Sequence, residues 1–364
     1  MFSFLTKSIE HRALPYASPI FIKHRMLEFL ENKENVFSDS KVALFLGASE
    51  VECCVDPSIV NPLLAEYGQD LHAVNIGMRN VEMEVYLAFV YKLTQYLKEK
   101  KQTLEAVYIK VPHTKLTGNY YRYSQRTAMK ADQIAAVLSY ADLWTGSSYF
   151  QSQIPEVLYY KSIFLGSSPY VYRLLFKNLL TENEILKTDD ISNKYNSLWI
   201  DKNFLETPLW NLHRGGVYNW NLPYSKTFFE EALQEKQEPD VKSWSNQRLR
   251  ACCDFNTLSV SEEQVSIFID MVNLLKSVSK NVVLYHIKEQ PEFLKFKTQK
   301  YDENLRYMFT LIKSGTGLSV VQPENMGLAD SDYIDVLHLA PSGQRKFYRG
   351  LFAELKRNDM HQAH

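Results

Sequence analysis

Ser49, Asp335 and His338 are the residues of this sequence whose types and placement could do chemistry together, and that chemistry would be acyl transfer. A serine hydroxyl is a poor nucleophile until a histidine takes its proton and a carboxylate orients that histidine. Among the nine histidines, His338 stands out because Asp335-Val-Leu-His338 sets a carboxylate three positions before it. In a turn that spacing can place the carboxylate beside the imidazole and fix its tautomer. Each feature has an ordinary explanation as well: a D-x-x-H pair is often a surface salt pair, and a small polar residue often does no more than end a strand. Position joins them, since each lies where a strand gives way to a helix, and in open α/β sheets ligands bind beyond the carboxyl ends of the strands.

The elements that must hold these residues can be read in order. Val42 to Leu46 is an apolar run too short for a helix, and it reads as a buried strand that stops at Gly47. The stretch Pro57 to Glu66 looks helical after its prolines, which puts Ser49 on the connection between the two. His72-Ala-Val-Asn-Ile-Gly77 reads as a second strand, Glu82 to Lys101 as a long helix, and Leu104 to Val111 as a third strand stopped by Pro112. Strands separated by helices predict βαβ units and a mainly parallel sheet. Regular α/β character returns with a helix over Ser261 to Lys276, whose Ser261-Glu-Glu-Gln264 opening has capping-box form. A strand over Asn281 to Ile287 follows, then a helix near Tyr301 to Ile312, a segment Leu318 to Gln322, and a final helix from near Ser342 through Leu355. Ile22 to Glu31 is an amphipathic candidate for a packing helix before the first strand. Between residues 144 and 250 the periodicity blurs, and this stretch reads as an insertion or cap over the sheet within a single domain of residues 1–364.

Composition narrows the function classes. Hydrophobic residues make up 45% and charged residues 23% of the 364, which excludes disorder, collagen-like repeats and a coiled coil. With 41 basic against 42 acidic residues the net charge is -1, so no overall field recruits nucleic acid or anionic lipid. The cysteines fall in two adjacent pairs, Cys53-Cys54 and Cys252-Cys253, without the C-x-x-C spacing of a zinc or redox site. No metal and no cofactor are expected, and the redox state of the pairs stays open. Gly47-Ala-Ser-Glu-Val-Glu lacks the further glycines of a dinucleotide-binding turn. No apolar run is long enough to span a membrane, and the start is too short before its first charge for a signal-peptide core. Other conspicuous residues have plain readings beside functional ones: His113 as a pocket or satisfied loop histidine, His286 as a packed one, Glu50 and Glu52 as charges that open a helix.

Gly47-Ala-Ser-Glu-Val51 with Asp56-Pro57, Asn75-Ile-Gly77, Val107-Tyr-Ile-Lys-Val-Pro-His113 leading to Tyr123-Ser124, and Asp335-Val-Leu-His-Leu339 with Gly343 together resemble the blocks of the SGNH/GDSL hydrolase superfamily. Within it they are most similar to the DltD-type extracytoplasmic proteins of teichoic-acid D-alanylation. The resemblance lies at the two ends of the chain and is thin across 144–250. It implies a flavodoxin-like three-layer α/β/α sandwich with a mainly parallel sheet and a largely helical insertion. It implies Ser49 as nucleophile, His338 as general base, Asp335 as its orienting partner, and the backbone N–H groups of Ser49 and Gly77 as oxyanion donors. Ala48 stands where the superfamily has Asp, and no Gly-x-Asn-Asp block is present, so Asn75, Asn80 or His113 would have to supply the remaining donor. The implied activity is that of an esterase or O-acyltransferase acting on an acyl ester of a cell-envelope glycan or polyol. Its implied setting is extracytoplasmic, with a membrane-bound O-acyltransferase as partner and no nucleic acid. A catalytically silent scaffold or binding protein of an envelope acylation system is the alternative that the missing block motivates, and a nucleotide-dependent transferase is a weaker third.

Overall fold

Val42–Leu46 form strand β1, with all five residues buried. The computed structural model describes residues 26, 29–30, 33–37, 41–52, 54–78, 81–117, 133–135, 137–145, 148–152, 154–155, 259–294, 299–323, 326–333 and 338–362. Across these, β2 (His72–Asn75), β3 (Leu104–Lys110), β4 (Ser279–Tyr285) and β5 (Val320–Val321) join β1 in one sheet of order β2-β1-β3-β4-β5. Every pairing is parallel. After β1 the chain adds β2 on one side and then crosses to add β3 on the other. In a sheet of this order the ligand crevice opens beyond the carboxyl ends of the two strands at that reversal, here β1 and β3.

Six helices matter for the site: α1 (Ser49–Glu52), α2 (Pro57–Glu66), α3 (Met83–Glu99), α4 (Glu262–Lys276), α5 (Gln299–Thr316) and α6 (Pro341–Gln362). They cover both faces of the sheet. Tyr285 packs its ring against Phe347 and Tyr348 of α6. The next residue, His286, packs edge-on to Phe309 of α5. Alternation along an extended chain therefore puts α6 on one side and α5 on the other. Helix α2 packs with α6 and β2, whereas α4 packs with α3, α5 and β4. On the α6 side the core is aromatic: Phe45 and Tyr108, paired in register across β1 and β3, stack at 4.7 Å, and Tyr348 and Phe352 close over them. Such ring pairs contribute about 0.5–1.5 kcal/mol each beyond the area they bury.

Local chemistry sets the helix starts. Asp56 caps α2 by accepting from the Ser58 N–H at 2.8 Å, and Pro57 follows at the position where a missing N–H does no harm. The Asp56 N–H donates to Gln344 Oε1 at 3.2 Å, which ties α2 to α6. Ser261 caps α4 by accepting from the Gln264 N–H at 3.4 Å, but Gln264 sends its own amide to Glu84 on α3 at 3.3 Å. Only half of the expected capping box forms, because the buried Gln264 finds a partner on the neighbouring helix.

Most of the expected insertion over 144–250, from residue 156 onward, lies outside the described residues. So does most of Ile22 to Glu31, although Met26 and Phe29 join the core. Among the described residues no helix is long and apolar enough to cross a membrane.

Candidate active site

Ser49 is the first residue of α1, one residue past the bend that ends β1. The turn is closed by the Ala48 carbonyl, which accepts from the Val51 and Glu52 N–H groups at 3.0 and 3.1 Å. Two glycines make this geometry sterically possible. A Cβ on Gly47 would lie 2.4 Å from Val51 Cγ2, and one on Gly77 would lie 2.1 Å from the Glu52 backbone nitrogen. The loop after β2 therefore packs directly on α1, with hydrogen where any other residue would carry a side chain. Tyr86 braces both loops through its hydroxyl, which accepts from the Met78 N–H at 2.9 Å and hydrogen-bonds the Gly47 carbonyl.

Asn75, 1% exposed, staples the two loops. Its amide donates to the carbonyls of Val51 at 3.0 Å and Val55 at 2.9 Å, while its oxygen accepts from the Gly77 N–H at 2.8 Å. The expected donors Asn75 and Gly77 thus spend their hydrogen bonds on each other, on α1 and on the turn that follows it. For the Gly77 N–H to face an oxyanion it has to leave the Asn75 oxygen.

Beside Ser49 stands an ion pair inside the protein. Glu50, 4% exposed, meets Lys110, fully buried at the end of β3, at 2.5 Å. Burial alone would raise the Glu50 carboxyl, but the Lys110 ammonium, helped by His338, outweighs it and holds the group down at about 2. The carboxylate is therefore ionised at neutral pH, and His338 lies within electrostatic range of it.

His338 reaches this place through the loop that precedes α6. An antiparallel bridge pairs Leu339, the residue after His338, with Tyr333. The Leu339 N–H donates to Cys54 Sγ at 3.1 Å, and the Ala340 N–H to the Asp332 carbonyl at 2.8 Å. Asp332 is itself held by Lys346 at 2.7 Å and by the Ala329 N–H at 2.9 Å. Cys54 is buried, and its sulfur serves here as a hydrogen-bond acceptor between the two ends of the chain. Asp335 and Asn80 lie outside the described residues, as do Cys53, Cys252 and Cys253.

His113 follows β3 and turns away toward β4. Its Nε2 lies 2.9 Å from Glu289 Oε1, with both side chains at 1% exposure or less. Its ring meets that of His286 edge-on, with centroids 4.7 Å apart. Burial pushes the His113 imidazole below its ordinary value, against the pull of Glu289 in the other direction. Glu289 also accepts from the Tyr301 hydroxyl of α5.

Glu50, Lys110, His286 and Glu289 are the members of this region whose partners the sequence does not announce. Lys110 carried a signal, a lysine inside the apolar run Val107-Tyr-Ile-Lys-Val111, and His286-x-x-Glu289 carried a second in its spacing just past a strand. No family model matches the chain, and no curated protein matches it.

Proposed function

We propose that the chain is an SGNH-like serine esterase or O-acyltransferase that works through an acyl ester on Ser49. The observation that carries the reading is the meeting of the two ends of the chain beside Ser49. The loop bearing His338 is tied through Leu339 to Cys54, just past α1, and this brings His338 within electrostatic range of Glu50, the residue after the serine. The strand order and the crevice between β1 and β3 support the SGNH-like form of the α/β sandwich. In this mechanism His338 takes the Ser49 proton as the hydroxyl attacks the ester carbonyl, then returns it to the leaving alcohol. Asp335 orients the imidazole, and the ionised Glu50 favours the imidazolium formed at that step. Water or a hydroxyl of a glycan or polyol then accepts the acyl group. An extracytoplasmic setting and a membrane-bound O-acyltransferase as partner belong to the same proposal and rest on the resemblance.

An alkyl fluorophosphonate tests the nucleophile directly. Wild-type protein is expected to form a covalent adduct that the Ser49→Ala variant does not, and equal labelling of the two would remove Ser49 from the mechanism. A second reading, a silent scaffold or binding protein of an envelope acylation system, is favoured by one observation: the Gly77 N–H is already taken by Asn75. Folded wild-type protein that takes up no label would decide for it.

A further inference from the structure

We propose that His113, His286 and Glu289 bind one divalent transition-metal ion, of the kind that zinc represents. Two imidazoles and a carboxylate are a donor set that catalytic zinc sites use, with the fourth position left to water or substrate. Here the three side chains come from the turn after β3, the first residue past β4, and a position three residues further on. Their donor atoms all lie within 4.8 Å of one another. Ligand atoms at zinc bond lengths in a tetrahedron stand about 3.3 Å apart. His113 Nε2 and Glu289 Oε1, at 2.9 Å, are already close to one such edge, so small side-chain rotations complete the set.

Charge argues the same way. All three residues are buried, Glu289 at 1% exposure. A buried carboxylate is costly unless a cation or a full set of hydrogen bonds offsets it. A dication held by the cluster would offset the Glu289 carboxylate, while Lys110, on the neighbouring strand, is paired with Glu50. The frame is rigid as well. β3 and β4 run in register up to Lys110 and Tyr285. The His286 N–H donates to the Val321 carbonyl at 3.0 Å, and the Tyr333 hydroxyl holds the Lys288 carbonyl at 2.9 Å. The Tyr301 hydroxyl on Glu289 is the outer brace that metal-binding carboxylates generally have.

The inference is independent of the esterase reading, and Ser49→Ala protein is expected to bind the ion as wild type does. The experiment uses the full chain, stripped with a chelator and titrated with Zn²⁺ or Co²⁺ alone. One equivalent is expected to bind, the Co²⁺ form is expected to show the visible bands of a low-coordinate site, and the thermal midpoint is expected to rise. Glu289→Gln and His286→Gln are expected to abolish uptake. Tyr301→Phe, which keeps the ring and the packing, is expected to weaken binding by about 10- to 100-fold. If the first two variants do not fold, the Co²⁺ spectrum of the wild type and the Tyr301→Phe affinity decide. Stripped wild-type protein that takes up no metal, or uptake that Glu289→Gln and Tyr301→Phe leave unchanged, would overturn the proposal and leave a hydrogen-bonded His-Glu-Tyr network.

Discussion

Lys110→Met removes the only cation within hydrogen-bond reach of Glu50 among the described residues while preserving most of the side-chain volume, and it isolates what the buried ion pair contributes. The magnitude can be worked in two ways. A carboxyl held at about 2 instead of its ordinary 4.5 corresponds to roughly 3 kcal/mol of folding free energy at neutral pH. Removing one partner of a buried pair independently suggests about 3–5 kcal/mol, because the other charge is left desolvated. Lys110→Met is therefore expected to lose about 3–4 kcal/mol at pH 7.

The sign of the pH dependence is the sharper part. Because the folded Glu50 value lies below the unfolded one, its stabilisation is fully present above about pH 4.5 and is lost as the pH falls toward 2. Without Lys110, burial dominates and the folded value rises above the unfolded one. Stability then increases as the pH falls from neutral toward 4, the reverse of the wild-type slope for this group. Urea unfolding followed by tryptophan fluorescence at a series of pH values measures both quantities, with Glu50→Gln/Lys110→Met as the reference in which this group no longer titrates. If Lys110→Met stays within about 1 kcal/mol of wild type, the range of a solvent-exposed pair, and keeps its slope, the reasoning fails.

Three further outcomes follow from the same loops. Gly77→Ala brings a methyl carbon to 2.1 Å from the Glu52 nitrogen; backbone must shift, and a loss of more than about 3 kcal/mol, read as a collapse in soluble yield and thermal midpoint, is expected. Asn75→Asp replaces the donor to the Val51 and Val55 carbonyls by an acceptor, and chemical unfolding is expected to show a loss of roughly 2–4 kcal/mol. Asp56 is pushed up to about 6 by burial, against its hydrogen bonds from Ser58. Its ionisation therefore costs folding free energy that appears as the pH rises from about 4 to 6 and stays constant above. Asp56→Asn keeps the capping oxygen, so its stability relative to wild type is expected to climb across that window, by roughly 3 kcal/mol at most, in unfolding curves at pH 4 and pH 8.

The sequence is legible where the physics is local. β1 matches its expected bounds because an apolar run closed by glycine has few alternatives, whereas α2 starts at Pro57 itself, earlier than expected, because Asp56 caps it there and Pro62 is accommodated inside. β5 forms over only Val320–Val321 of the expected Leu318 to Gln322, since only those residues pair with β4. At the site, Gly77 could be read as a turn glycine, yet what requires it is the approach of Glu52 from another element. Asn75 could be read as a donor to substrate, but its carbonyl partners Val51 and Val55 are visible only once β2 lies beside β1, whereas its bond to the Gly77 N–H is local. Glu50 and Lys110 are separated by a whole βαβ unit, and no spacing rule connects them. His286 and Glu289 sit close in sequence, but the third member of their cluster comes from the turn after β3. Pairings made by sheet register leave no local trace.

Register also explains why so much buried charge collects at one end of the sheet. Glu50 and Glu52 follow β1, Lys110, His113 and Lys115 end or follow β3, and His286 and Glu289 follow β4, all buried. At the opposite end, the first residues of β1 and β3 are Val42 and Leu104, apolar and buried. Each desolvated charge costs several kcal/mol, and replacing a buried pair by well-packed apolar residues of similar volume is often neutral or stabilising. A layer selected for stability alone would not look like this one. A Glu50→Met/Lys110→Met variant separates the two demands. It is expected to match or exceed the stability of the wild type at neutral pH, yet to react with the fluorophosphonate at least about tenfold more slowly, because the carboxylate that favours a charged His338 has gone. Equal labelling rates in a stable double variant would mean that the pair holds the Ser49 turn and takes no part in its reactivity.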